Sequence, residues 1–343
     1  MTVVVKLGTS LVVGAAGRAR RSLVRARASE IADLVRGGEP VCVVSSGAIA
    51  LGLPRLGLDR RPRSVPKLQA ASALGQTRLQ ALWDSELGRV GVRAAQVLLT
   101  AGDFADRKAY VNARGAFGAL LRLGVVPVVN ENDATATDEI TFGDNDVLAA
   151  QVAILLRARL LVLLTEVEGV FSRTPGHPEA ALLEEWPGKA EFGLGTTLGR
   201  GGMRSKVVAA EMAAAAGIPT VVTAGHGDSV LTPILAGEGR GTRFAPAETA
   251  QSAFKLWLRF AKPSSGRLHV DEGARKAVEE QGATLLAVGV ARSEGSFEAG
   301  DAVDLIGPDG AAFAKGIAGA SSAELSGRPR GVEAVHRDRL VLF

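Results

Sequence analysis

Short apolar runs recur along the first 245 residues of this chain, each followed by a stretch with helical pattern. Val3–Leu7, Val41–Ser45, Ala95–Leu99, Val125–Val129, Leu160–Leu164 and Thr220–Thr223 read as strands. Arg21–Arg36, Lys67–Leu87, Arg107–Arg122, Val147–Leu156 and Lys206–Ala216 read as helices between and after them. Runs this apolar, without polar alternation, suit strands covered on both faces, and the helices supply the covers. The expectation is an α/β fold with a mostly parallel sheet. Such sheets bind ligands beyond the C-terminal ends of their strands, so the residues after each run are the ones to read for chemistry.

The pattern changes after Pro246. Gln251–Phe260 carries Trp257, and Lys262-Pro-Ser-Ser-Gly reads as a turn. Leu285–Val290, Ala302–Ile306, Ala311–Ala314, Val332–Val335 and Leu340–Phe343 are short β-like runs around one helix, Glu272–Gln281. Residues 1–248 and 255–343 are therefore expected to form two domains, the second small and β-rich.

Composition excludes several classes. Hydrophobic residues make up 47 % of the 343, enough for a core, yet aromatics are only 4 %, so Ala, Val and Leu must build it. The most apolar stretch, Ala153–Leu164, is broken by Arg157 and Arg159 and does not read as a membrane span. The start shows no signal-peptide pattern. The single cysteine, Cys42, lies inside a strand and reads as a buried thiol. A soluble, cytoplasmic protein is expected. The net charge is +4, but the surplus is N-terminal: residues 1–67 hold 12 Lys/Arg against 4 Asp/Glu, whereas residues 251–343 hold 12 of each. That balance argues against a second domain acting as an RNA-binding module, which needs phosphate attraction. Arg18, Arg20, Arg21, Arg25 and Arg27 read as a solvated helix face.

The strand ends carry groups suited to phosphate. Lys6 closes the first run and is followed by Gly8, Thr9 and Ser10. It reads either as a surface lysine or as an anion ligand. Ser45, Ser46 and Gly47 follow the second run, as an ordinary helix cap or an anion pocket. Asn130-Glu131-Asn132-Asp133 offers acceptors for an ammonium and amide donors for a carboxylate. Asp144 and Asp146 precede the next helix, as caps or as acids that organise lysines or a metal–phosphate complex. Residues 193–202 hold five glycines, and Lys206 follows at the start of an Ala-rich helix. A loop of that kind can close over a nucleotide while its lysine reaches the transferred phosphoryl group. There is no Walker A loop, dinucleotide fingerprint or metal-spaced histidine set in the sequence. Phosphoryl transfer fits, because it needs positioning and charge neutralisation more than covalent help.

The segments VVVKLGTS (3–10), SSGAIALG (45–52), the region around Gln69–Trp83, VNENDATATDEITFGDNDVLAA (129–150), LLVLLTEVEGVF (160–171) and GRGGMRSK (199–206) resemble, in order, the amino acid kinase family. DEGARKAVEEQGATLLAVGV (271–290) and GSFEAGDAVDLIGPDG (295–310) resemble a PUA domain. The resemblance implies a doubly wound αβα sandwich that transfers the ATP γ-phosphoryl group to the γ-carboxylate of L-glutamate, at the start of proline synthesis. It implies catalytic roles for Lys6, Lys206 and Asp146. Glutamate contacts are implied at Ser46, Asn130, Asp133 and Asn145. Nucleotide contacts are implied at Lys6, Thr165, Glu166, Arg200, Gly201, Gly202, Met203, Arg204, Ser205 and Lys206. Mg²⁺ is implied with ATP rather than on protein ligands alone. A homo-oligomer (dimer or tetramer) and feedback by proline near Ala134–Phe142 are also implied, with no membrane or nucleic-acid partner. The chain departs from the family at Glu166, where Asp is customary, and at Arg200 and Ser205 in the glycine-rich loop. The PUA-like part lacks the usual Pro near Ala287 and Tyr near Ala320.

Overall fold

The computed structural model describes every residue except 15–16, 136–143, 174–176, 189–201, 249–251 and 263. The chain divides into two compact units, Met1–Ala250 and Gln251–Phe343.

The first unit is built on a seven-stranded sheet. Its strands are β1 (Val3–Leu7), β2 (Val41–Ser45), β3 (Arg93–Leu99), β4 (Val125–Glu131), β5 (Leu160–Thr165), β6 (Thr220–Ala224) and β7 (Thr242–Phe244), in the spatial order β3-β4-β2-β1-β5-β6-β7. β1 to β6 are parallel, and only β7 runs antiparallel, against β6. Strand β1 is central because all five of its residues are buried, so it needs neighbours on both edges and covers on both faces. The chain builds outward from β1 through β2 to one edge, then crosses back to add β5 on the other side of β1. That reversal opens a crevice at the β1 C-terminus, where Lys6 lies.

The helix Val65–Gly88 fixes one wall of that crevice. Its Trp83 is fully buried and donates its indole N–H to Ser45 Oγ at 2.9 Å. The short helix Ala48–Gly52 crosses it backbone to backbone. A Cβ at Gly75 would stand 1.7 Å from the Ala48 carbonyl oxygen, and one at Gly52 1.8 Å from that of Ala71. Neither Ser45 nor Ser46 caps the short helix. Its N-cap is Gly47, at φ +119°, with no side-chain cap. The ordinary-cap reading of those serines is thus set aside, and Ser45 Oγ turns to the Ser46 carbonyl instead.

Arg27 overturns the expectation of a solvated helix face. It is fully buried on the Arg21–Arg36 helix and bonds the carbonyls of Gly225 (3.3 Å) and Gly227 (2.6 Å), with Glu30 at 2.9 Å. Glu30 in turn accepts from the backbone N–H groups of Val230 and Leu231. Arg21 and Arg25 also have partners, both meeting the carboxylate of Glu86.

The second unit carries β8 (Ser264–Val270), β9 (Leu285–Leu286), β10 (Val290–Gly295), β11 (Ala302–Ile306), β12 (Ala312–Ala318) and β13 (Glu333–Leu342), ordered β10-β8-β11-β12-β13-β9. Its core is aliphatic with Phe297 and Phe313. The turn expected at Lys262–Gly266 is a strand start instead, because Ser264 and Gly266 pair with β11. A further short helix, Ser322–Ser326, is held by a Ser321–Glu324 capping box.

Candidate active site

A cavity of about 450 Å³ lies at the C-terminal ends of the central strands. Its lining includes Lys6, Gly8 and the first residues, Thr9 and Ser10, of the short helix after β1, Ser46 and Gly47 after β2, and Asn130 and Asp133 at and beyond the end of β4. Thr165 at the end of β5 completes the strand-end set, with Asn145, Asp146, Gly202 and Lys206 from the flanking helices.

The helix expected at Val147 begins at Asp144, so Asn145 and Asp146 lie within its first turn. Asp146 is fully buried. Its Oδ1 is 2.5 Å from Lys6 Nζ and its Oδ2 3.1 Å from Lys206 Nζ, while Ser205 Oγ donates to Oδ2 at 2.6 Å. The carboxylate therefore joins a central strand to a helix some 60 residues further along the chain. Burial alone would push the Asp146 carboxyl up, but the two lysines and the Ser205 hydroxyl hold it below the usual carboxylate range. Burial draws the Lys6 ammonium down, against the pull of Asp146 and with the repulsion of Lys206. Lys206 is not at its helix start. The helix runs Gly202–Ala215, and Lys206 lies one turn in, where its ammonium also meets the Gly202 carbonyl at 2.9 Å.

The other end of the cavity is built from amides and one acid. Asp133 is buried, and Ser72 Oγ donates to its Oδ2 at 2.5 Å. Burial raises the Asp133 carboxyl above its usual value, while Ser72 and the charge of Arg61 pull it down. Gln76 holds the Glu131 carbonyl at 3.0 Å and so fixes the chain leading into Asp133. The Oδ1 atoms of Asn130 and Asn145 are buried and accept no hydrogen bond among the described residues. Acceptors of that kind suit a substrate ammonium.

The structure thus brings Lys6, Ser46, Asn130, Asp133, Asn145, Asp146, Thr165, Gly202 and Lys206 into one cavity. Met203 and Arg204 lie on the same helix as Lys206, with Arg204 exposed. Arg200 and Gly201 lie outside the described residues, as does most of the Ala134–Phe142 segment. Glu166 follows Thr165 but is not part of the lining. Its carboxylate is 2.5 Å from His226 Nε2 and 3.6 Å from Arg20, and Ser10 hydrogen-bonds it as well. Two residues escape sequence reading, Arg61 and Ser72. Neither follows a strand, and nothing local signals that Ser72 meets an acid 61 positions away.

Residues 1–224 match the Amino acid kinase family and residues 266–337 the PUA domain. The chain belongs to the amino acid kinase family, with a PUA domain following the kinase part. The solved carbamate kinase from Giardia lamblia bound to AMP-PNP shares the fold, at TM-score 0.54 and 16 % identity over 72 % of this chain and 98 % of that one. Isopentenyl phosphate kinase does too, at TM-score 0.51 and 20 % identity over 71 % of this chain and all of that one. Over its full length the chain is similar to glutamate 5-kinases. Identity is 45 % to that of Gloeobacter violaceus, over 99 % of each chain. It is 39 % to that of Pelobacter propionicus, over 99 % of this chain and 97 % of the relative.

Proposed function

We propose that this chain is a glutamate 5-kinase, transferring the γ-phosphoryl group of ATP to the γ-carboxylate of L-glutamate at the entry to proline biosynthesis. The observation that carries this reading is the Lys6–Asp146–Lys206 bridge, in one cavity with the ammonium-seeking acceptors Asn130, Asp133 and Asn145.

An oxygen of the γ-carboxylate attacks the γ-phosphorus in line. A new P–O bond forms as the bond from phosphorus to the bridging oxygen breaks, and ADP leaves with that electron pair. The acceptor is ionised near neutral pH, so no proton moves and no general base is needed. Lys6 and Lys206 neutralise the charge that spreads over the phosphoryl oxygens, and Asp146 sets their spacing. Ser46, Asn130, Asp133 and Asn145 hold glutamate. Thr165 and the segment ending at Lys206 hold the nucleotide, with Glu166 steadying Ser10 beside them.

The reaction takes ATP as its complex with a divalent cation, for which we propose Mg²⁺. Among the described residues no three His, Cys, Asp or Glu side chains are grouped to hold a metal, and both Asp146 oxygens face lysines. When bound, the ion would be held through the ATP phosphates it accompanies and would add charge neutralisation there, beside Lys6 and Lys206. The family likeness also carries the proposals of a homo-oligomer, a cytoplasmic location and inhibition by proline. No helix among the described residues is long and apolar enough to cross a membrane.

The test is ADP release that depends on L-glutamate, with the acyl phosphate trapped by hydroxylamine as its hydroxamate. A folded protein with no glutamate-dependent turnover overturns the reading.

A further inference from the structure

Glutamate carries three charged groups, and its carbon skeleton dictates how a site must be arranged to meet them. The ammonium and α-carboxylate share one carbon, so their two recognisers must be neighbours of opposite sign. The γ-carboxylate lies at the far end, beside the transferred phosphoryl group. The cationic side chains in the described lining are Lys6, Lys206 and Arg61. Both lysines are drawn to Asp146 and belong to the phosphoryl end. Arg61 shares the lining with Asp133, the buried acid, and its charge also bears on that carboxyl. Arg61 is exposed, in the connection between the turn at Gly57 and the helix that starts at Val65, and it stands at the rim of the cavity.

We infer that Arg61 recognises the α-carboxylate of the amino-acid substrate, and so selects glutamate over acceptors that carry the γ-carboxylate and the amine alone. Asp133 and Arg61, of opposite sign in one lining, supply the pair that the α-carbon requires. A guanidinium presents paired N–H donors in the plane of a carboxylate, a match a lysine cannot reproduce. The buried amide oxygens of Asn130 and Asn145, which accept nothing from the described residues, remain for the ammonium beside Asp133. This inference rests on glutamate being the acceptor. It adds the residue that reads the one group distinguishing glutamate from its decarboxylated analogue.

The test compares L-glutamate with 4-aminobutyrate, which keeps the γ-carboxylate and the amine and lacks the α-carboxylate. The analogue is scored by turnover, or as a competitive inhibitor where turnover is slow. Arg61→Gln is expected to lower kcat/KM for glutamate about 10- to 100-fold, the worth of a charge-assisted contact. The effect falls on KM, with kcat at saturation and KM for ATP near wild type. Use of 4-aminobutyrate falls much less, by the part Arg61 plays in keeping Asp133 ionised, so the preference for glutamate still drops. Arg61→Lys restores part of it. A residue that only shapes the loop would weaken both compounds alike. An unchanged preference in Arg61→Gln, at whatever overall activity, overturns the inference. Lack of glutamate turnover in the wild type would instead remove the kinase reading beneath it.

Discussion

Replacing Asp146 by asparagine keeps the shape of the side chain and removes its charge, which makes it the sharpest probe of the site. Two ammonium groups stand 2.5 and 3.1 Å from this carboxylate, and all three side chains are nearly inaccessible. At an effective dielectric of about 20, each attraction amounts to about 5–7 kcal/mol before desolvation is counted. Desolvation offsets part of this, and removing one partner of such a buried arrangement costs about 3–5 kcal/mol in stability. In Asp146→Asn the amide oxygen can still accept from Ser205 and one lysine, which places the effect toward about 3 kcal/mol. Global stability of about 5–15 kcal/mol leaves the variant folded at 25 °C. Its urea midpoint should fall clearly below wild type. Catalysis suffers more, because the lysines lose the anchor that aims them at the phosphoryl oxygens. Loss of a preorganised contact of that kind lowers kcat about 10²- to 10³-fold. The hydroxamate assay reads kcat, and circular dichroism during urea titration reads the midpoint. A variant with kcat within about threefold of wild type and an unchanged midpoint refutes the claim that Asp146 sets the spacing of the lysines.

Ser72→Ala removes the hydroxyl that helps keep Asp133 ionised against its burial. KM for glutamate should rise about tenfold, from one charge-assisted bond. Because the carboxyl is then pushed higher still, the acid limb of kcat/KM should move to higher pH; a limb that stays or moves lower contradicts this. Arg27→Met leaves Glu30 buried without its charge partner and frees the carbonyls of Gly225 and Gly227. The loss should be about 3 kcal/mol or more, read as a lowered urea midpoint, and an unmoved midpoint would show the buried ion pair to be dispensable. Gly75→Ala inserts a methyl group where the Ala48 carbonyl stands and should cost about 3 kcal/mol. It should also raise KM for glutamate by displacing Ser46 and Gly47, and unchanged stability would mean that the helix crossing is looser than it looks.

Much of this fold is readable residue by residue. β1, β2, Arg21–Arg36 and Arg107–Arg122 match their sequence expectations end to end, because each is a run of one periodicity closed by a change of composition. The three-residue β7 offers too short a run to read, and β8 starts inside what looks like a turn because its pairing with β11 and β10, not its local sequence, makes it a strand. Arg27 looks solvated because charge on a helix usually is; carbonyl partners nearly 200 positions away decide otherwise. The site divides in the same way. The strand-end residues Lys6, Ser46 and Asn130 are legible because parallel sheets place ligands there. The partners that tune Asp133 are not, since Ser72 and Arg61 come from segments with no regular relation to a strand end.

The backbone-to-backbone crossing at Gly52 and Gly75 bears on how this enzyme could acquire a new acceptor. A frame held at carbonyl distance cannot draw back, so from that side the pocket can be widened only by trimming side chains that line it, such as Ile49 and Leu53. Any larger enlargement there would need a helix to be re-seated. Further room for change lies in the exposed connection that carries Arg61, where a substitution alters a charge or a reach without moving the frame. Acceptor range in relatives built this way should therefore drift through their rim loops while the glycine contact stays still.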